Sequence, residues 1–287
     1  MKKFLLLICA IFVLLLLSAC GKSESVKYVE SLIADIGDVS LESKDAIESA
    51  KNAFDNLSAE EKADVKNYYI LVESMSTFEE LEGMAKHAAA QQVYNDIKAA
   101  WNLADIISGD LYNVWHGWVF EKDKLAAGGL QYFVDETSLS MSEVIEGFAA
   151  RNYINEEYAK TGVTWMDVSE DRKEFFRKST VEIFDRAVKA IQYVGLEDAL
   201  FGTINAYLLN GDWSKANEDL SVAKEGLKEL GDNYDHYTDL ISFYTTTSAL
   251  VDFCKSPSGS FDQYKVLLND YRKESRDLMN VLDLVFE

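Results

Sequence analysis

A single proline, Pro257, stands in 287 residues, glycine-rich stretches are few, and no continuous strand pattern appears. Together with long runs of period near 3.5, these shortages leave an almost purely helical chain. Histidine is scarce too. The residues three before His87, His116 and His236 are Met84, Asn113 and Asn233, so the Glu-x-x-His pairs of a carboxylate-bridged di-iron bundle are missing. Neither His-x-x-x-His nor Cys-x-x-Cys occurs, which excludes a zinc site of ordinary spacing. The acidic groups Glu79-Glu80-Glu82, Glu156-Glu157 and Glu170-Asp171 lack the D-x-D-x-D-G frame of a calcium loop and read as solvated helix faces. Basic residues are outnumbered 49 to 28, a net charge of −21. That charge excludes a nucleic-acid binder, which needs a basic face for phosphate contacts. It is otherwise a statement about solubility, and it holds the body of the protein off anionic lipid headgroups.

Catalytic signatures are equally thin. No G-x-S-x-G, P-loop or G-x-G-x-x-G is present. Ser221-Val222-Ala223-Lys224 and Lys160-Thr161-Gly162 match fragments used by serine β-lactamases, but in reversed order, without S-x-N, and in helical pattern where K-T-G belongs on a strand. The alternating strands and helices of a solute receptor built around a cleft are missing as well. The expectation is a non-enzymatic protein with no catalytic residue, metal or cofactor.

What is present begins at the N-terminus. Lys2 and Lys3 form a positive n-region, Phe4 to Leu17 an apolar stretch too short for an ordinary membrane span, and Leu17-Ser18-Ala19-Cys20 follows. The tetrapeptide resembles a bacterial lipobox. The resemblance implies that residues 1–19 are a signal peptide, that Cys20 is acylated, and that the mature chain is extracytoplasmic and held to the bacterial membrane by that lipid. Loss of the two lysines takes the charge to −23. Cys9 leaves with the signal and Cys20 carries lipid, so Cys254 has no partner within the chain and stability rests on packing. Residues 20–25 are then a short polar tether.

From Val26 the pattern is helical to Ile36, stops at Gly37, and resumes with Ile47, Ala50, Phe54 and Leu57 on one face. Ser58-Ala59-Glu60-Glu61 is a capping box opening a further helix, with Val65, Tyr68, Leu71, Val72, Met75, Phe78 and Leu81 as its core stripe. Ile33, Ile36-Gly37, Val39, Leu41, Ser43, Ile47, Ala50, Phe54, Leu57, Lys62, Val65, Asn67-Tyr68 and Leu71 resemble a small helical repeat of cell-surface proteins and lipoproteins in low-GC Gram-positive bacteria. The match covers residues 26–83, occurs once, and has Phe54 where tyrosine is expected. It implies a spacer-like bundle without catalytic residues.

Residues 85–287 are expected to form an elongated antiparallel bundle of long helices, making the whole protein all-α. Over 85–122, Ala90, Ile97, Ala104, Leu111 and Trp118 recur every seventh residue beside Val93, Ala100, Ile107 and Val114, with Tyr94, Trp101, Ser108 and Trp115 as a third column. Three columns fit burial among several helices. Lys122 to Glu136 breaks the period at Gly128-Gly129 and reads as an irregular connection. Ser140-Met141-Ser142-Glu143 caps a helix that ends at Thr161-Gly162; a loop around Trp165 leads to a helix over 170–194; Leu196 to Asn210 is apolar on several sides. Trp213, Leu220, Leu227, Tyr234, Ile241 and Ser248, beside Ala216, Ala223, Leu230, Tyr237, Tyr244 and Val251, run six heptads without a phase slip, which favours one helix weakened at Gly231. Its many tyrosines place that seam near the surface, where their hydroxyls find partners or water. Ser256-Pro257-Ser258-Gly259 is a turn into a last helix capped by Ser260.

The one unusual aromatic cluster is Trp115-His116-Gly117-Trp118, where Gly117 permits close approach of another segment or a ligand. With Trp101 it defines candidate binding residues Trp101, Trp115, His116 and Trp118 for a small-molecule pocket; the competing expectation is that these rings are core. The leading functional expectation is an envelope binding or scaffold module with a protein or wall partner, the alternative a small-molecule-binding lipoprotein.

Overall fold

The computed structural model describes residues 22–186 and 194–286. The lipobox with Cys20, and the 187–193 part of the helix expected over 170–194, lie outside the described residues. Among the described residues there is no strand, and the fold is all-α. The chain divides into two compact units, residues 1–88 and 89–287.

In the first unit, α1 (Glu24–Asp35), α2 (Lys44–Asp55) and α3 (Ala59–Asp64) close on Val26, Val29, Ile33, Ile47, Ala50, Leu57, Val65 and Leu71. Ser23 caps α1, its Oγ accepting from Val26 N at 3.2 Å. Ser58 and Glu61 form the expected capping box, but it opens only six residues. Val65 turns extended, and Glu30 of α1 holds the break: Lys66 N donates to its carboxylate at 2.9 Å and the Asn67 amide to its carbonyl at 2.9 Å. The long helix therefore starts earlier than residue 85. It is α4, Tyr68–Phe120, and Gly83 passes within it as an ordinary helical residue.

Lys122–Gly128 (α5) and Leu130–Glu136 (α6) correct the expectation of an irregular connection. Gly129, at φ +56°, turns the chain between them, and Leu125, Leu130, Tyr132 and Phe133 are buried in the main core, which pays for the ordering. Next, α7 (Met141–Tyr153) opens on the Ser140–Glu143 capping box, continues through a π-helical turn Ile154–Tyr158 and a last turn Ala159–Thr161, and stops at Gly162, φ +65°. The Lys160-Thr161-Gly162 fragment is thus a helix stop. α8 (Glu170–Asp185) and α9 (Leu196–Asn210) pack on α7.

The Gly231 question resolves as two helices, α10 (Asp212–Leu230) and α11 (Tyr237–Lys255), against the expectation of one. Gly231 sits at φ +74°, ψ 165°, a backbone region open essentially to glycine alone. The unbroken heptad count is a coincidence: Leu230 and Tyr237 are seven apart across a loop. In α11 the buried residues are Leu240, Phe243, Thr246, Thr247, Leu250, Val251 and Cys254; Leu240, Phe243, Thr247, Leu250 and Cys254 lie one residue before the expected columns, of which Val251 is buried and Ile241 is exposed. The break did reset the phase.

After the Pro257 turn, α12 (Phe261–Phe286) starts on a Ser260–Gln263 capping box. It runs antiparallel to α4. Tyr264 donates to Ser108 O at 3.0 Å, Arg272 Nη2 to Asp105 O at 3.2 Å, and Lys98 Nζ to Asp283 at 2.7 Å. With α10 and α11 as a hairpin, whose ends are marked by Lys255 Nζ bonding Asn217 at 3.3 Å, the second unit is built on an up-down four-helix bundle into which α5–α9 are inserted. The α4 columns are core as expected: Ala90, Ile97, Ala104, Leu111, Val93, Ala100, Ile107 and Val114 are all buried.

Candidate functional site

The expected aromatic site takes a different form. Trp115 is buried against Tyr264 and Phe261, with ring centroids 5.2 and 6.3 Å away. His116 lies among Tyr112, Phe120 and Phe261 at 5.0 to 6.1 Å. Trp118 and Trp101 pack partly buried on the core, Trp118 beneath Lys122 Nζ at 4.2 Å. The segment that Gly117 admits is α6: a Cβ there would lie 1.5 Å from the Tyr132 hydroxyl. None of the four candidate residues lines any of the cavities described below.

A better-formed concavity lies beside α7. Its cavity, about 470 Å³, is lined by Ala150, Ile154 and Tyr158 of α7 and its π-helical turn, Thr164, Trp165 and Met166 of the following loop, Asn205, Leu208 and Leu209 of α9, and Ser214 of α10. The local sequence explains each wall. Ala150, Ile154 and Tyr158 fall four apart on one helical face, the last two at the ends of the π-helical turn; such turns are frequent at functional sites. Ile154, Tyr158, Met166 and Leu208 are all exposed, apolar bodies that the core does not use.

The loop wall is held from beneath. Trp165 is buried against Tyr153 and Phe176 and donates its indole N–H to Glu146 at 2.9 Å. Tyr153 donates to Val163 O at 2.9 Å, closing the loop onto α7. Glu146 also accepts from Arg177 of α8, Nη2 at 3.2 Å. Burial alone would raise the Glu146 carboxyl, but the Arg177 and Trp165 hydrogen bonds outweigh it and hold the group below the ordinary glutamate range. The α9 wall is set by close packing. A Cβ at Gly147 would lie 2.2 Å from Gly202 O and 2.6 Å from Ala206 N, so α7 and α9 touch backbone to backbone. Buried Asp110 fastens α9 to α4, accepting from Tyr207 and, at 2.6 Å, from Ser138 N. Burial raises the Asp110 carboxyl and the Tyr207 phenol alike.

Two further concavities flank α8, one with Glu146, Glu174, Arg177 and Lys178 and one with Asn152, Glu156, Arg186 and Asp198, and both carry charged side chains on their walls. Among the described residues no group of three or more His, Cys, Asp or Glu is placed to hold a metal ion, and no helix is long and apolar enough to cross a membrane. No family model, curated protein or solved structure matches this chain. The groove drew on residues that sequence periodicity leaves unassigned. The available signals were the several apolar sides of 196–210 and the loop tryptophan.

Proposed function

We propose that this protein is a lipoprotein, held outside the bacterial membrane through Cys20, that works there as a non-enzymatic binding module. The n-region, apolar stretch and lipobox of residues 2–20 support the address, and the single spacer-like repeat over 26–83 supports a surface-exposed body. One observation carries the binding reading: an apolar groove of about 470 Å³ on a preformed helical frame, within the size range of small-molecule sites. It moves the small-molecule reading from Trp101, Trp115 and Trp118 to the Trp165 groove, and it favours a small ligand over an envelope protein partner.

Two measurements test the proposal. Cells fed an alkyne-tagged palmitate should label the wild-type chain and leave Cys20→Ala unlabelled; equal labelling of the two refutes the anchor. Titration with a panel of small metabolites should change tryptophan fluorescence in wild type and not in Leu208→Glu. Silence across the panel in wild type refutes the binding role.

A further inference from the structure

Asp, Glu, Lys and Arg make up 27% of this chain, yet none of the ten residues lining the groove is one of them. A charged ligand there would meet no countercharge among the lining residues, the Lys173 ammonium beside them being bonded to Met166 O at 3.3 Å, and an anion would also face the net charge of −21. Half of the lining residues are Ala150, Ile154, Leu208, Leu209 and the Met166 thioether, joined by the exposed Tyr158 ring, with Trp165 largely sunk in the core behind them. Among the described residues the Asn205 amide and the Tyr158 and Ser214 hydroxyls, all on the groove wall, make no side-chain hydrogen bond, and Asn205 alone of the three brings both an amide donor and a carbonyl acceptor. The Thr164 hydroxyl, by contrast, is already committed to Asp167 at 2.7 Å. A ligand group that can accept and donate, an amide or a hydroxyl, can pair with Asn205; a bare hydrocarbon cannot.

We propose that the groove binds an uncharged aliphatic molecule carrying an amide or hydroxyl group, the chain lying along Ile154, Met166, Leu208 and Leu209 and the polar group on Asn205. The inference rests on the binding reading above and specifies its ligand.

The test uses the chain as purified from its bacterial host and held in phosphatidylcholine vesicles, with retention of radiolabelled probe measured above protein-free vesicles. Decanamide and decanol should bind, and decanoate and decylamine at least tenfold more weakly. Asn205→Leu should weaken decanamide at least tenfold, Asn205→Gln should restore part of the loss, and Leu208→Glu should abolish binding of decanamide and decanol, with helical content unchanged in each variant. Monodecanoylglycerol placed in the bilayer, compared with decanamide in solution, separates a lipid source from a soluble one, and binding of either agrees with the inference. If charged and neutral probes bind equally, or if Asn205→Leu binds decanamide as wild type does, this inference falls while the binding reading stands. If no probe binds and the metabolite panel is also silent, both fall.

Discussion

Trp165 is anchored by Glu146, whose carboxyl Arg177 and Trp165 hold below the ordinary glutamate range against burial. The carboxyl sits lower in the folded chain than its ordinary value of 4.5, so its contribution is complete above that value and is lost as pH falls through the lower folded value. Thermal unfolding followed from pH 7 to pH 3 should therefore show an acid-side loss in wild type that is smaller in Glu146→Gln. The variant keeps an acceptor for Trp165 and loses the ion pair, at a cost of about 1–3 kcal/mol at neutral pH. Parallel curves for the two proteins would contradict this role. Cys254 gives a second residue-scale prediction. It is fully buried, its thiol donates to Ala104 O at 3.8 Å, and burial pushes it up to about 12. Native protein should resist iodoacetamide and react only once unfolded. Labelling as fast as in denaturant would show that the α4–α11 seam opens readily.

At the scale of elements, glycines separate by what surrounds them. At Gly147 an added Cβ meets backbone of α9 at 2.2 and 2.6 Å, which nothing flexible can relieve. Gly147→Ala should force α7 and α9 apart and cost at least about 1–3 kcal/mol by chemical denaturation. Gly83 is the counter-case, inside α4 with nothing within 4 Å, and Gly83→Ala should stabilise by about 1 kcal/mol. Gly231→Ala should destabilise by about 1–3 kcal/mol through its backbone conformation alone. These positions also mark what the sequence made legible. Stops with a local chemical signature read correctly: Gly162, the Pro257 turn, and the capping boxes at Ser58, Ser140 and Ser260. The α4 columns did as well, because every turn of that stretch is packed on a neighbour. The hairpin at Gly231 did not, since a loop of nearly one heptad mimics a continuous helix. Nor did α5 and α6, whose order comes from Leu125, Tyr132 and Phe133 entering a core assembled from distant helices.

For the molecule as a whole, the second unit combines a four-helix frame with an inserted group, α5–α9, that carries the groove. No periodicity could announce that site, because its walls come from residues 150–158, 164–166, 205–209 and 214, joined only by folding. Exposed apolar residues are unremarkable singly; here Ile154, Tyr158, Met166 and Leu208 share one concavity, and that grouping is what a binding role explains. Leu208 is 55% exposed, so charging it should silence the groove without touching the core. Native mass spectrometry of the chain purified from bacterial membranes, wild type beside Leu208→Glu, tests the whole account at once. It predicts an acylated chain in both proteins and a bound neutral small molecule in wild type only. A wild-type chain of bare polypeptide mass, or a bound molecule that survives Leu208→Glu, would contradict it.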